Sequence, residues 1–375
     1  KEIAGAVAQL DVQTLLARPA TVSDFLQGGA VGVEITGGSG EAGQSKQIRL
    51  RGNTSMVLSN HPLIYVDGVR MMDGAFPSAV ARQFSFQLRG ANITTSPLDI
   101  INVGDIERIE IVKGPAAATL FGTGSAGGVI QIFTKRGSPG APIWTAEIRQ
   151  GTGWVKPFGA NGVDYLHLEH YMRDAWGGGG YEGGSASGDC VQDDPRWEGV
   201  NSSAEGPCSW PGSQWYQTYR LGVSGGEERL DYFVSGEYEN DTYTLPLDRL
   251  KKYGVRANLR AKLLPTLELE SHTAYSKMST ANTASGNSVE SILLSSMRQD
   301  RNYLSSADPR VIAELFELRN EQGIDRVTSG LTAAYTPSLS VSHRLTLGYD
   351  FSGQNLRSLR ELGFILFPEG SVTTQ

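Results

Sequence analysis

From residue 138 onward, apolar residues recur at every second position over long stretches. In "KYGVRANLRAKL", Tyr253, Val255, Ala257, Leu259, Ala261 and Leu263 share one face, and Lys252, Arg256, Asn258, Arg260 and Lys262 share the other. "LDYFVSGEYEN" sets Leu230, Tyr232, Val234 and Tyr238 against Asp231, Ser235, Glu237 and Glu239. "LSVSHRLTLGYDF" sets Val341, Leu345, Leu347, Tyr349 and Phe351 against Ser342, Arg344, Thr346 and Asp350. A period of two is the signature of a β-strand with unlike faces. Seven such strands are expected near 143–154, 214–225, 229–240, 251–263, 266–277, 326–336 and 340–353. They have about the 9–11 residues a strand needs to cross a membrane at a tilt. Gly225-Gly226, Pro265 and Pro337-Ser338 make short turns, while 155–213, 241–250 and 278–325 make longer connections. That alternation is a habit of outer-membrane barrels. Trp144, Trp154, Trp215, Tyr219, Tyr232, Tyr238, Tyr253, Tyr275, Tyr335 and Tyr349 fall towards strand ends, as interfacial girdles do. A mean hydropathy of −0.25 fits alternating strands as well as a water-exposed protein. A soluble β-sandwich with one wet face has the same periodicity, so the pattern alone leaves both open.

Residues 1–137 follow a different grammar and read as a compact mixed α/β unit. "TVSDFLQGG" is a short helix capped by Thr21 or Ser23 and ended by Gly28-Gly29. "KQIRLRG" and "PLIYVDGVRM" read as strands closed by Gly52 and Gly68, which serve as backbone devices. Residues 73–99 form a polar, Pro/Gly-punctuated loop segment. "DIERIEIVKG" alternates Ile106, Ile109 and Ile111 with charges. "PAAATLFG" opens a helix on proline and closes it on glycine, and "GGVIQIFTK" is a further strand. Gly122, Gly124 and Gly127 have the spacing of a dinucleotide-binding loop. Such a loop follows a strand and opens a helix, so that helix amides face a pyrophosphate. Here the order is reversed, and the glycines suit a tight turn where backbones pack closely.

Several function classes fall away. A formal charge of −7 and a pI near 5.4, with no basic stripe, argue against a nucleic-acid partner. No clustered histidines or Cys/His metal pattern points to an enzyme, a metal or another cofactor. His167, Glu169 and His170 read as part of an amphipathic loop helix, since no third ligand has an evident spacing. Asp189, Asp193, Asp194 and Glu198 lack the spacing of a calcium loop. "RVIAELFELRN" places Ile312, Leu315, Phe316 and Arg319 at helical intervals, which predicts a helix near 310–320. Cys190 and Cys208 lie in one Gly/Ser/Asp-rich stretch and suit a local disulfide in an oxidising compartment; two free thiols are the alternative.

The stretches "TVSDFLQGGAVGVEITGGSGEAGQSKQIRLRGN", "HPLIYVDGVRM" and "IINVGDIERIEIVKGPAAATLFGTGSAGGVIQIFTKRG" resemble, in order, the plug domain of TonB-dependent outer-membrane transporters of the SusC/RagA branch. "WYQTYRLGVSGGEERLDYFVSGEYEND" and "RLKKYGVRANLRAKLLPTLELESHTAYS" are similar to the first hairpins of that branch's barrel. The resemblance implies an α+β plug domain over 1–137, followed over 138–375 by antiparallel transmembrane β-barrel strands. It implies import across a Gram-negative outer membrane, energised by the TonB–ExbB–ExbD complex. In this branch a SusD-like lipoprotein commonly serves as lid, and the cargo is an oligosaccharide or a peptide. Plugged barrels of this kind use roughly 22 strands, and an open seven-stranded sheet would leave unpaired edges in lipid. The chain is therefore expected to be part of a longer protein. No TonB-contacting box is evident before residue 20, and the branch's usual N-terminal accessory domain is not seen.

Carried over by motif, the resemblance nominates plug apical-loop residues for substrate contact. Arg51 and Asn53 end "IRLRGN", Met72 and Asp73 follow "VDGVR", and Ser96 and Asp99 precede "DIERIE". Arg51 is equally a candidate, with Glu107 and Glu110, for a polar lock between plug and barrel. Two rival readings are a ferric-chelate receptor of the same superfamily and a secreted β-rich binding protein that transports nothing.

Overall fold

The computed structural model describes residues 7–11, 21–36, 46–50, 61–71, 98–113, 115–153, 214–243, 248–282, 319–338, 340–360, 362–363 and 370–374. Two sheets of opposite character dominate. The first contains β1 (Val7–Asp11), β4 (Leu63–Val66), β5 (Val69–Arg70), β6 (Ile106–Val112) and β7 (Val129–Thr134), in the order β1-β6-β7-β4-β5. Only β4 and β7 run parallel. A separate ribbon pairs β2 (Val33–Thr36) with β3 (Gln47–Leu50). Helix α1 (Val22–Leu26) starts where the Thr21 side chain accepts a hydrogen bond from the Asp24 amide, as its sequence predicts. Ile106, Ile109, Ile111, Ile130 and Ile132 are at most 1% exposed and pack with Val22, Leu26 and Leu50 into a dry core.

Helix α2 (Pro115–Phe121) ends at Gly122, whose φ is +86°. A 3-10 turn (Thr123–Ser125) and Gly128 (φ +96°) then lead into β7. A Cβ on Gly128 would collide with the Leu50 side chain and crowd the Val112 carbonyl. The glycine spacing is thus a strand-entry turn with close backbone approach.

The second sheet is a sequential antiparallel meander: β8 (Gly140–Gly153), β9 (Gln214–Gly226), β10 (Leu230–Thr242), β11 (Arg249–Leu264), β12 (Leu267–Asn282), β13 (Arg319–Ser338), β14 (Val341–Arg360) and β15 (Ser371–Thr374). All seven expected strands are present, and β15 adds an eighth. The strands run 13 to 20 residues from β8 to β14, longer than a membrane crossing demands, because the ladders continue past the apolar band. Arg319 and Asn320, expected to end a helix, instead open β13 and pair with Leu359 and Ser358 of β14. The rest of that predicted helix, the His167 segment, the acidic cluster and Cys190–Cys208 lie outside the described residues.

This sheet is inside-out relative to a soluble protein. Ile148 is 70% exposed and Leu347 59%, whereas Asn258 is 2% exposed and Arg326 3%. Most apolar side chains stand outward along β8 to β14 and polar ones are buried inward, but Phe233, Leu250, Met278, Ile324 and Leu356 are buried as well, and Leu250, Met278 and Ile324 pack into the plug's core. Across β9, β10 and β11 the register pairs Tyr219, Tyr238 and Tyr253 into one aromatic row, with ring centroids 6.2 and 5.0 Å apart. A sandwich would bury the apolar stripe; here that stripe faces out, as lipid requires. No helix among the described residues is long and apolar enough to cross a membrane, which says nothing of crossing by strands.

The link between the sheets runs close along the wall. A Cβ on Gly137 would strike the backbone of Tyr232 and the Gly225 carbonyl, so only glycine lets the chain lie flat there.

Candidate functional site: the interface between the N-terminal unit and the wall

The N-terminal unit meets the wall's polar face from β9 to β14, and two of its turns make the densest contacts. The first is the β4–β5 hairpin. Asp67 (φ +48°) and Gly68 (φ +83°) form a two-residue turn of the kind that aspartate and glycine tolerate. Asp67 accepts hydrogen bonds from the Thr134 amide (2.9 Å) and hydroxyl (2.6 Å), which tie the hairpin to the end of β7. It also lies 3.4 Å from Arg256 Nη1 and 3.9 Å from His272 Nδ1 on the wall. Val69 presses on Gly330 and Gly348, a cross-strand pair of β13 and β14.

The second is the 3-10 turn Val103–Asp105, capped where Asn102 Oδ1 accepts from the Gly104 amide (2.8 Å). Asp105 accepts a 2.7 Å hydrogen bond from Ser235 Oγ and lies 3.5 Å from Arg256 Nε. Arg256 therefore bridges two carboxylates from separate loops. Burial raises the Asp105 pKa, opposed by Arg256 and by the Ser235 hydrogen bond. Further along, Asn258 Nδ2 donates to Thr134 Oγ1 (2.8 Å) and to the Lys135 carbonyl (2.7 Å), and Arg136 pairs with Glu270 at 3.1 Å.

Arg220, on β9, lies under the same turn. It pairs with Glu147 (2.9 Å) and with Glu237, and donates to Asn102 Oδ1. Glu237 also accepts from Lys252 (3.3 Å), which reaches Glu239 at 2.8 Å. A cavity of about 300 Å³ opens beside this network, between the turn and β8 to β11. Arg149, Arg220, Lys252, Glu237, Glu239, Asp241, Tyr216 and Tyr243 line it together with threonine and glutamine side chains. Burial and nearby carboxylates, Asp241 first, hold the Tyr243 phenol above its ordinary pKa, so it is neutral at physiological pH.

Of the sequence-nominated residues, Arg51, Asn53, Met72, Asp73 and Ser96 lie outside the described residues. Asp99 does not present itself to a ligand. It is 8% exposed and accepts hydrogen bonds from the Ser23 amide (3.2 Å) and hydroxyl (2.8 Å), fastening α1 to the following segment. Burial raises its pKa against those two hydrogen bonds. Glu107 and Glu110 pair with Arg108 of their own strand, at 3.7 and 2.9 Å, while Arg108 stacks over Phe133. The described lock is made instead by Asp67, Asn102, Asp105, Thr134 and Arg136 with Arg220, Ser235, Arg256, Asn258 and Glu270. The alternation had already placed Ser235, Arg256 and Asn258 on the polar face. Their partners could not be read from it, since local pattern does not encode contacts more than a hundred residues apart.

The family model for the TonB-dependent receptor plug domain matches residues 1–129. The chain is 25% identical over 293 residues to TonB-dependent receptor P26 of Formosa agariphila, covering 73% of this chain and 25% of that protein. It is 32% identical over 117 residues to TonB-dependent receptor SusC of Bacteroides thetaiotaomicron, covering 31% of this chain and 10% of that protein. Ferric enterobactin receptors are also among the relatives. A structure of the RagAB peptide importer superposes with a TM-score of 0.64 at 16% identity, over 95% of this chain and 41% of that one, and establishes the shared fold. The chain thus spans a quarter or less of the length of these two curated relatives. Residues 1–129 match the TonB-dependent receptor plug domain, and with its inverted wall the chain is similar to SusC/RagA-like TonB-dependent receptors, which are proteins of the Gram-negative outer membrane.

Proposed function

We propose that this chain supplies the plug (1–137) and the first wall strands (138–375) of an active importer. It carries a bulky nutrient, an oligosaccharide or a peptide, across the outer membrane. Energy comes from the TonB–ExbB–ExbD complex, and a SusD-like lipoprotein covers the outer mouth. One observation carries the reading: a wall with lipid-compatible side chains outside and charged ones inside, bonded across its inner face to a compact plug. Buried charges so arranged hold the plug around a small apolar contact made by Leu250, Met278 and Ile324 of the wall, and water can replace the charged contacts when it moves. In that reading Arg51, Asn53, Met72, Asp73 and Ser96 meet substrate.

The test is growth of a strain lacking the gene. Loss of growth on a polymeric carbon source or on peptides, restored by the gene, is the expected outcome. Loss of growth only under iron limitation would instead establish the ferric-chelate receptor. Recovery of the protein solely in the soluble fraction would refute import altogether.

A further inference from the structure

The exterior of the wall carries charged rows that neither the plug nor the cavity uses. The cross-strand register that aligns Tyr219, Tyr238 and Tyr253 continues to Lys277 and Asp325. The next row holds Gln217, Asn240, Lys251 and Ser279, and the one after it Arg249, Glu321 and Arg357. Among the described residues, every lysine, arginine and carboxylate on the exterior of β8 to β14 lies in these rows. The long connections after β8 and β12 leave the wall at this end, whereas short turns from Gly226 to Leu230, Leu264 to Leu267 and Ser338 to Val341 close the other. Short turns face the periplasm. The charged rows therefore belong to the outer leaflet, beside an aromatic row of the kind that sits at headgroup level. At the short-turn end the strand exterior presents Leu263, Tyr335 and Leu345 instead.

Four cations, Arg249, Lys251, Lys277 and Arg357, stand with two acids, Glu321 and Asp325, an excess of two positive charges on a chain of formal charge −7. Both acids are on β13. Lys251, on β11, is exposed and has Asn240 and Ser279 as direct cross-strand neighbours, so no carboxylate faces it. Arg249 lies two positions along the same strand, and Lys277 is the diagonal neighbour on β12, within reach of a long side chain. Arg249 meets Glu321 at 3.4 Å and Lys277 meets Asp325 at 3.7 Å, with both cations more than half exposed. Exposed pairs of this kind contribute little, so both side chains can turn to a stronger anion. Three cations around one exterior spot match a phosphate, with its double charge and several acceptor oxygens. The Ser279 hydroxyl and the Asn240 and Gln217 amides beside them suit the hydroxyls of a sugar. The apolar stripe below them receives acyl chains.

Resting on the outer-membrane placement of the import reading, we propose that Arg249, Lys251 and Lys277 bind a phosphate on the sugar headgroup of an outer-leaflet glycolipid. Lys251 supplies the uncommitted charge, and Arg249 and Lys277 close on the phosphate from either side. The site fixes a lipid at the rim of the wall, on the face opposite the plug.

The full-length receptor, purified in mild detergent and stripped of lipid with EDTA and high salt, is titrated with fluorescent bis-phosphorylated lipid A. Lys251→Gln with Lys277→Gln should weaken binding roughly tenfold or more, as removal of two cations near a charged membrane surface predicts. Arg229→Gln, which removes one exposed charge from the short turn at the other end, should leave it unchanged. Enzymatically dephosphorylated lipid A should bind the unaltered receptor about as weakly as the phosphorylated lipid binds the double variant. Heat-modifiable mobility checks that the variants are folded, and the comparison of the two lipids needs no variant at all. Equal binding of the two lipids, or undiminished binding by a folded double variant, overturns the site. Phosphatidylglycerol bound as tightly as lipid A overturns the glycolipid. Either failure in a receptor that still restores nutrient-dependent growth refutes this site alone, whereas the expected lipid binding without such growth refutes import alone.

Discussion

At the residue scale, the interface depends most on Arg256, which faces Asp67 and Asp105 together within a buried cluster. Removing one partner of a buried ionic group strands the others and typically costs about 3–5 kcal/mol. Arg256→Met should therefore weaken plug docking by that order, seen as faster proteolysis of the plug while the barrel keeps its heat-modifiable mobility. Two carboxyls, Asp99 and Asp105, have pKa values above the ordinary 3.8 because they are buried. The folded plug thus holds these protons more tightly than the unfolded chain does. Their stabilisation is complete below the unfolded value and is lost as pH rises through the folded one. Plug protection against protease in urea should increase on acidification towards pH 3.8, and Asp99→Asn should flatten part of that dependence.

Elements show how much of this could be read in advance. Period two identified every long wall strand, because one face answers to lipid and the other to the plug. It underestimated their length, since polar ends beyond the apolar band still pair. The 310–320 stretch misled at Arg319 and Asn320, where ladder pairing with β14 overrides helical spacing. Asp99 misled differently: a loop acid near an apical segment is pulled inward by Ser23, a residue 76 positions earlier. The β4–β5 hairpin was visible as "VDGVR", yet its seat was not, because Gly330 and Gly348 matter only once paired across two strands. A side chain at Gly348 would meet Val69. Gly348→Leu should therefore unseat the hairpin and raise hydrogen exchange at Leu63–Val66, leaving the β8–β10 ladder protected.

For the molecule as a whole, the outward stripe predicts a depth-dependent response to charge. Leu347 and Tyr349 stand on the exterior of β14. Leu347→Lys near the mid-plane should cost about 2–4 kcal/mol of barrel stability, and a lysine near the strand end much less. Reversible unfolding in lipid vesicles measures both. Expressed without detergent or lipid, the wall should aggregate, as unpaired edges and an apolar exterior require.

Gly137 sets a limit on the machine. From Thr134, fixed by Asn258, to Gly140, where β8 begins, only five residues intervene, a fully drawn leash of about 20 Å over six steps. That leash is shorter than the bilayer's roughly 30 Å hydrocarbon span. On the proposed import reading, the stopper can swing or unravel on its leash but never drop clear of the pipe, so cargo would slip past something still attached to the lining.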